Sequence, residues 1–228
     1  MYPIFFEPTM LLLIPGLIFA AYAQWKVKST YNKYLRVANN KGITGAEAAK
    51  QILNRNGIYD VTVELVGGKL SDHYDPRKKV LRLSNEVYNG RSIASVGIAA
   101  HEVGHAIQHN TSYGPLTLRS AIAPVVGFAS NSAWILFFIG ILFNFTGLMT
   151  LGIIFFASAV VFNVVTLPVE FNASSRALAQ LEGNALIYDD EGRGVKKVLD
   201  AAALTYIAAT IVAFLQLVRM ILLRGSRD

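Results

Sequence analysis

The feature that most constrains the fold is a run of 50 consecutive residues, 120–169, without Asp, Glu, Lys or Arg. About 20 predominantly apolar residues are enough to cross a bilayer as a helix. The run therefore provides two spans, predicted at 122–143 and 148–167, with a tight turn between them. The turn is predicted at residues 144–147 (NFTG), because Asn and Gly tolerate the left-handed backbone that tight turns require.

Two further uncharged stretches, 8–25 and 201–218, predict spans at 9–25 and 201–223. The first stretch resembles a signal peptide, with Ala21-Tyr22-Ala23 as a cleavage site. However, no Lys or Arg precedes it, and signal peptides begin with a basic region, so we expect an uncleaved span. For the last stretch two alternatives stand, a crossing helix, which its length favours, and a buried or interfacial helix. The chain is thus predicted to be a mainly α, multi-pass membrane protein with about four transmembrane helices.

Five basic residues directly follow the first predicted span and set the expected orientation. They are Lys26, Lys28, Lys33, Arg36 and Lys41. The positive-inside rule then places residues 26–120 in the cytoplasm. This cluster accounts for much of the net charge of +6. Because no run of basic residues interleaves with aromatic residues, as a nucleic-acid groove would require, a nucleic-acid partner is not expected.

Four crossings would place Arg224 and Arg227 outside, against the positive-inside rule. Either the stronger basic cluster dominates, with Arg219 reaching the interface, or the last segment does not cross.

The sequence His101-Glu102-Val103-Gly104-His105 carries the predicted chemistry. Helical residues four apart lie on one face, so His101 and His105 can reach one zinc ion, while Glu102 is placed to act as a general base toward water. A catalytic zinc site needs a third protein ligand, and the chain contains no cysteine. The third ligand must therefore be His, Asp or Glu.

Glu170 is the favoured third ligand, with His109 and His73 as alternatives. His109 lies about 12 Å along the helix axis from His101, too far to join both histidines easily. His73 falls in a turn-rich segment. Glu170 directly follows the third span, at the start of a helix predicted from Pro168, and two consecutive spans return the chain to the membrane face it left.

The polar segments predict a small α+β catalytic domain. A capping box at Thr44–Glu47 begins a helix. Strands are predicted around 61–65, 70–73 and 80–83, the second returning as a hairpin beside the first. Ser84 or Ser92 is predicted to cap the next helix. From Ser92 that helix would run to about Asn110 and carry the HExxH motif. The predicted organisation is an N-terminal transmembrane helix (1–25), a cytoplasmic domain (26–120), a transmembrane hairpin (121–167), a segment completing the catalytic domain (168–200) and a C-terminal transmembrane helix with a short tail (201–228).

Three motifs together resemble the YugP-type neutral zinc metallopeptidase family of bacteria. They are DHYDP at 72–76, AAHEVGHAIQH at 99–109 and PVEFNASSRA at 168–177. More distantly, the order of elements is similar to the HtpX and CAAX-protease group, whose Glu-x-x-Ala-Asp motif supplies the third zinc ligand. That resemblance implies a zincin-like domain and supports Glu170. This chain has Ser174 where that group carries an Asp that orients a zinc-binding His. Ser174, Asn172 or a carboxylate elsewhere in the chain must orient that histidine instead.

The resemblance implies an integral-membrane zinc endopeptidase with a lipid bilayer and protein or peptide substrates as partners. Candidate oxyanion donors are Arg176, His109, His73 and Tyr74. The strand Val80–Leu83 either pairs with a substrate peptide or is an ordinary core strand. Two other functions remain open, a membrane scaffold or chaperone with a structural zinc and a lipid- or isoprenoid-handling hydrolase.

Overall fold

A computed structural model describes residues 8–226, so residues 1–7, Arg227 and Asp228 lie outside the described chain. The chain divides into two compact units. The unit called here the apolar unit comprises residues 8–24, Leu118–Leu167 and 205–226 of the described chain. The polar unit comprises Trp25–Thr117 and Pro168–Leu204.

The described residues form seven α-helices and three strands, after a 3-10 turn at Pro8–Leu13. In chain order they are α1 (Ile14–Leu35), α2 (Gly45–Arg55), β1 (Thr62–Val66), β2 (His73–Asp75), β3 (Val80–Ser84), α3 (Asn85–Tyr88), α4 (Ile93–Asn110), α5 (Gly114–Leu142), α6 (Thr146–Gly183) and α7 (Asp189–Gly225).

Four helical segments of the described chain are long and apolar enough to cross a membrane. They are Pro8–Leu35, Gly114–Leu142, Thr146–Gly183 and Asp190–Gly225. Large apolar side chains on these helices stand exposed, among them Phe128 at 71% and Leu142 at 77%. Such surfaces suit contact with lipid rather than water. The predicted turn between α5 and α6 is confirmed, and Asn144 takes the left-handed conformation there, with φ of 51°.

The predicted helix start at Pro168 is wrong, because Pro168 lies inside the unbroken helix α6. A proline within a helix removes one backbone donor and clashes with the preceding turn, which packing on either side can outweigh. Its neighbours Thr166 and Val169 are both buried. The last helix is likewise longer than the predicted 201–223 segment, because α7 begins at Asp189.

Glycines let α5 and α6 approach closely in the apolar unit. A β-carbon on Gly152 would lie 2.8 Å from the carbonyl oxygen of Ala133, and one on Gly140 would lie 2.7 Å from the backbone nitrogen of Met149. Either contact is too short for a methyl group. A buried cluster of Phe137, Met149 and Met220 joins α5, α6 and α7 in this unit.

The sheet of the polar unit has the order β1-β3-β2. β3 runs parallel to β1, with Val63 opposite Leu81, and antiparallel to β2, with Tyr74 opposite Leu81. The predicted hairpin of the first two strands is therefore wrong, because β1 pairs with the buried β3 instead. The suggested pairing of Val80–Leu83 with a substrate is also wrong, since both edges of β3 are already occupied.

Local sequence signals explain the helices that surround this sheet. Thr44 and Glu47 form the predicted capping box at the start of α2. Ser92 caps α4 by accepting a hydrogen bond from the backbone N–H of Ser95. The core of the polar unit collects apolar side chains from α2, β3, α4, α6 and α7, including Ile52, Leu81, Val103, Leu181 and Val195.

Candidate metal centre

Three side chains from two helices converge in the polar unit. Nε2 of His101 lies 3.3 Å from Oε2 of Glu170, and Nε2 of His105 lies 3.5 Å from the same oxygen. One potential ligand atom from each residue falls within 4.8 Å of the others. The side chain of Glu170 is only 4% exposed, and those of His101 and His105 are 14% and 13% exposed.

The meeting of these side chains depends on close contact between α4 and α6. The two histidines lie one turn apart on α4, with ring centroids separated by 4.8 Å. A β-carbon on Gly104 would lie 2.6 Å from the carbonyl oxygen of Ala173 on α6. Only glycine between the histidines permits this approach, and the approach brings Glu170, one turn before Ala173, to the histidine face of α4.

Each histidine has a second polar partner at its other ring nitrogen. Nδ1 of His101 lies 3.1 Å from the hydroxyl of Ser174, and Nδ1 of His105 lies 3.0 Å from Oε1 of Gln108. Both rings therefore direct Nε2 toward Glu170. Partners at the far nitrogen are typical of metal-binding histidines, because they fix the orientation of the ring.

The site concentrates negative charge around the histidines. Burial alone would lower the pKa of His105, but its contact with Glu170 and the negative charges of Glu102 and Glu170 raise that pKa above its usual value. Glu102 itself is buried, with 9% exposure. Burial, and to a smaller extent the Glu102 charge, also raises the pKa of Asp72, whose carboxylate accepts hydrogen bonds from the backbone and hydroxyl of Ser84.

This donor set fits a zinc ion. Two imidazole nitrogens and one carboxylate oxygen are ligands that zinc accepts in catalytic sites, where a fourth position stays open.

A family model described as "Putative neutral zinc metallopeptidase" matches residues 9–225. The chain belongs to this family.

One curated relative of this chain comes from Bacillus subtilis (strain 168). The chain is 52% identical over 219 residues to the protein called "Putative membrane protease YugP". The match covers 95% of this chain and 97% of the relative. No solved structure matches the chain. The family resemblance drawn from the three sequence motifs is thereby confirmed.

The remaining candidate residues lie outside the cluster of three. The Tyr74 hydroxyl on β2 lies 2.9 Å from Nδ1 of His109, one turn beyond His105 on α4. Burial, followed by the charges of Asp60 and Asp75, raises the pKa of Tyr74 to about 12. His73 is exposed on β2, where Nδ1 contacts the Ser71 carbonyl oxygen.

Arg176 and Asn172 form a polar chain on α6. Arg176 Nε donates to Oδ1 of Asn172 over 2.7 Å, and its guanidinium carbon lies 5.8 Å from the ring centre of Tyr113. Asn172 also accepts from Gln108 Nε2 over 3.0 Å. Asn172 therefore reaches the metal-ligand candidates only through Gln108.

Gln108 is the site residue that the sequence reasoning missed. It is fully buried and contacts His105, Val169 and Asn172. Its position three residues after His105 was an available signal, because residues three apart share a helix face. A polar residue on the helix face that carries His101 and His105 indicates a hydrogen-bond partner for one of their rings.

Proposed function

We propose that this protein is an integral-membrane zinc endopeptidase that hydrolyses peptide bonds of membrane or membrane-proximal proteins. The observation that carries the proposal is the convergence of His101, His105 and Glu170 at distances that suit one ion. The match to a zinc metallopeptidase family and the four membrane-length helices support it. On this proposal His101 and His105 ligate through Nε2 and Glu170 through Oε2.

Glu102 is the proposed general base. A zinc ion held by these three residues would supply Lewis-acid chemistry, which would polarise the scissile carbonyl and make water acidic enough to react near neutral pH. Glu102 takes the proton of the attacking water and delivers it to the leaving amine nitrogen. Its burial beside His105 keeps the carboxylate in a poorly solvated environment, where its interaction with a developing charge is strong.

Tyr74 is the oxyanion donor that the contacts favour. A pKa of about 12 keeps its hydroxyl protonated, so it can donate a hydrogen bond to the oxygen that becomes negative. His109, its hydrogen-bond partner, holds the phenol on the side of α4 that carries the histidines. The Arg176 guanidinium is less favoured because it lies beside the Tyr113 ring while its Nε donates to Asn172. Both ring nitrogens of His73 have partners, in Ser71 and Arg82.

The decisive comparison is between the wild type and Glu102→Gln. Gln is nearly isosteric but cannot act as a base, so this variant should keep its zinc while peptide cleavage falls by at least about 100-fold. Zinc content and cleavage of a panel of membrane-protein segments are measured on the same detergent-solubilised samples. Cleavage by the variant near the wild-type rate would exclude Glu102 as the base. A zinc-loaded wild type that cleaves none of the panel would favour a scaffold or chaperone role.

We further propose that the polar unit faces the cytoplasm, because Lys26, Lys28 and Lys33 follow the first span. Single cysteines at Ser71 and Ser226 test this in a chain that has no other cysteine. With a membrane-impermeant thiol reagent on whole cells, Ser71→Cys should label only after lysis. Ser226→Cys should label from outside if α7 crosses, whereas its protection would mean that α7 does not cross. External labelling of Ser71→Cys would invert the topology.

A further inference from the structure

The Gln108 side chain makes three hydrogen bonds although none of its surface is exposed. Oε1 lies 3.0 Å from Nδ1 of His105, while Nε2 lies 2.8 Å from the carbonyl oxygen of Val169 and 3.0 Å from Oδ1 of Asn172. The carboxamide thus uses both of its amide hydrogens on α6 and turns its oxygen toward the histidine on α4.

The direction of these hydrogen bonds follows from groups that can act in only one way. A backbone carbonyl such as that of Val169 only accepts, so the Gln108 atom facing it must be the NH₂ group. At the other end, Arg176 Nε only donates, so the Asn172 atom that it contacts over 2.7 Å must be oxygen. That oxygen receives the second amide hydrogen of Gln108. Both anchors leave Gln108 Oε1 as the atom that faces His105.

The fixed oxygen of Gln108 determines where His105 carries its hydrogen. An amide oxygen only accepts, so Nδ1 of His105 must be the donor. A neutral imidazole with hydrogen on Nδ1 has its lone pair on Nε2, the nitrogen that faces Glu170. The contact at His101 lacks this property, because the Ser174 hydroxyl can either donate or accept.

We propose that Gln108 is a positioning residue that sets the metal-binding tautomer of His105, with Arg176 and Asn172 fixing the orientation of its carboxamide. The proposal rests on the zinc site proposed above. It assigns each hydrogen bond one direction. Arg176 and Gln108 both donate to Asn172 Oδ1, Gln108 also donates to the Val169 carbonyl, and His105 donates to Gln108. His105 is therefore oriented by the protein before any ion arrives.

The test compares zinc affinity in Gln108→Met and Gln180→Met. Methionine has nearly the shape of glutamine but no amide. Gln180 is a matched control on α6 of the same unit, where its oxygen accepts from Asn56 and Asn184 and contacts no histidine. Loss of an outer partner of a metal-binding histidine weakens metal affinity about 10- to 100-fold. We expect that increase in the zinc Kd, measured by competition with a chelating dye, for Gln108→Met only.

The thermal stability of both variants in chelator separates a structural effect from a positioning effect. Equal zinc affinity of Gln108→Met and the wild type would overturn the proposal while leaving the zinc site intact. A wild type that binds no zinc would instead overturn the proposed function. Gln108→Glu keeps an oxygen that accepts from Nδ1 but has no hydrogens for Val169 and Asn172, so it rescues only the contact with His105. Its zinc Kd should therefore lie between those of the wild type and Gln108→Met.

A spectroscopic measurement on an unmodified Gln108 keeps the proposal testable even if Gln108→Met does not fold. In metal-free protein with ¹⁵N-labelled histidine, kept in alkaline buffer, His73→Gln and His109→Gln leave only the signals of His101 and His105. At least one of these rings must carry its hydrogen on Nδ1 and none on Nε2. If neither ring carries hydrogen on Nδ1, Gln108 does not set the tautomer.

Discussion

Helix α6 packs closely against a neighbouring helix in both units, but the side chains beside that contact are apolar in one unit and include a buried carboxylate in the other. In the apolar unit, Gly152 of α6 lies against the backbone of Ala133 and Phe137 on α5. In the polar unit, Ala173 of the same helix lies against Gly104 on α4. The first contact leads to a cluster of Phe137, Met149 and Met220, and the second holds Glu170 against two histidines.

The comparison shows that close helix packing has two uses in this chain. At Gly152 the short distance gives van der Waals contact between helices, which drives association where lipid is as apolar as the protein. At Gly104 a similarly short distance brings the Glu170 carboxylate to His101 and His105. The two contacts have similar backbone distances. The side chains next to them, apolar near Gly152 and polar near Gly104, distinguish a structural contact from a candidate reaction centre.

The largest expected effect is that of Glu170→Ala on metal binding. Removing the only carboxylate in the cluster of three should lower zinc affinity by more than the roughly 100-fold upper limit expected for an outer-shell partner. His109→Ala and His73→Ala are the controls, and both should keep about one zinc per chain. Metal analysis after dialysis against a weak chelator measures all three. Full zinc retention in Glu170→Ala would show that Glu170 does not bind zinc, so that neither part of α6 contributes to the metal site.

An intermediate effect is expected from Gly104→Ala and its counterpart Gly152→Ala. Each methyl group would meet backbone atoms closer than 3 Å. Overpacking costs about 1–3 kcal/mol, which exceeds the gain of about 1 kcal/mol in helix propensity. Both variants should unfold at lower temperature than the wild type in detergent.

Only Gly104→Ala should also bind zinc more weakly, because only that methyl group separates the ligand-bearing faces of α4 and α6. Zinc titration of the folded fraction measures this. A matching loss of zinc affinity in Gly152→Ala would show that the two contacts are not functionally distinct.

The smallest effect concerns pH and Asp72. Among the described residues, the apolar unit contains no Asp or Glu, so carboxylate titration belongs to the polar unit. Burial raises the pKa of Asp72, so the folded protein holds that proton more tightly than the unfolded chain. This stabilising contribution is complete below the ordinary Asp pKa of about 4 and is lost as pH rises through the folded-state value.

Asp72→Asn removes this titration, so the stability of the variant relative to the wild type should rise as pH increases from about 4 to about 7. Denaturation of both proteins in chelator, at several pH values, measures the difference. A difference that does not change with pH would show that Asp72 titrates alike in both states.

The sequence predicted the elements with strong local signals. The four apolar segments, the turn at Asn144, the capping box at Thr44 and the Ser92 cap of α4 all depend on nearby residues. The pair His101 and His105 was predictable for the same reason, since helical periodicity alone places them on one face.

Elements that depend on distant packing were not predicted correctly. Residues 61–73 predicted a hairpin, but the buried β3 pairs with β1 across a longer connection. Pro168 predicted a helix start, but packing around Thr166 and Val169 carries α6 through it. Gln108 was missed because its partners Val169 and Asn172 lie more than 60 residues away.

X-ray absorption at the zinc edge of the purified, zinc-loaded wild type directly tests whether His101, His105 and Glu170 hold the ion. The scattering pattern of imidazole rings counts the histidine ligands. The account predicts two imidazoles, from His101 and His105, with nitrogen and oxygen ligands at about 2.0–2.2 Å. Three imidazoles, which would bring in His109 or His73, or a protein that retains no zinc, would contradict it.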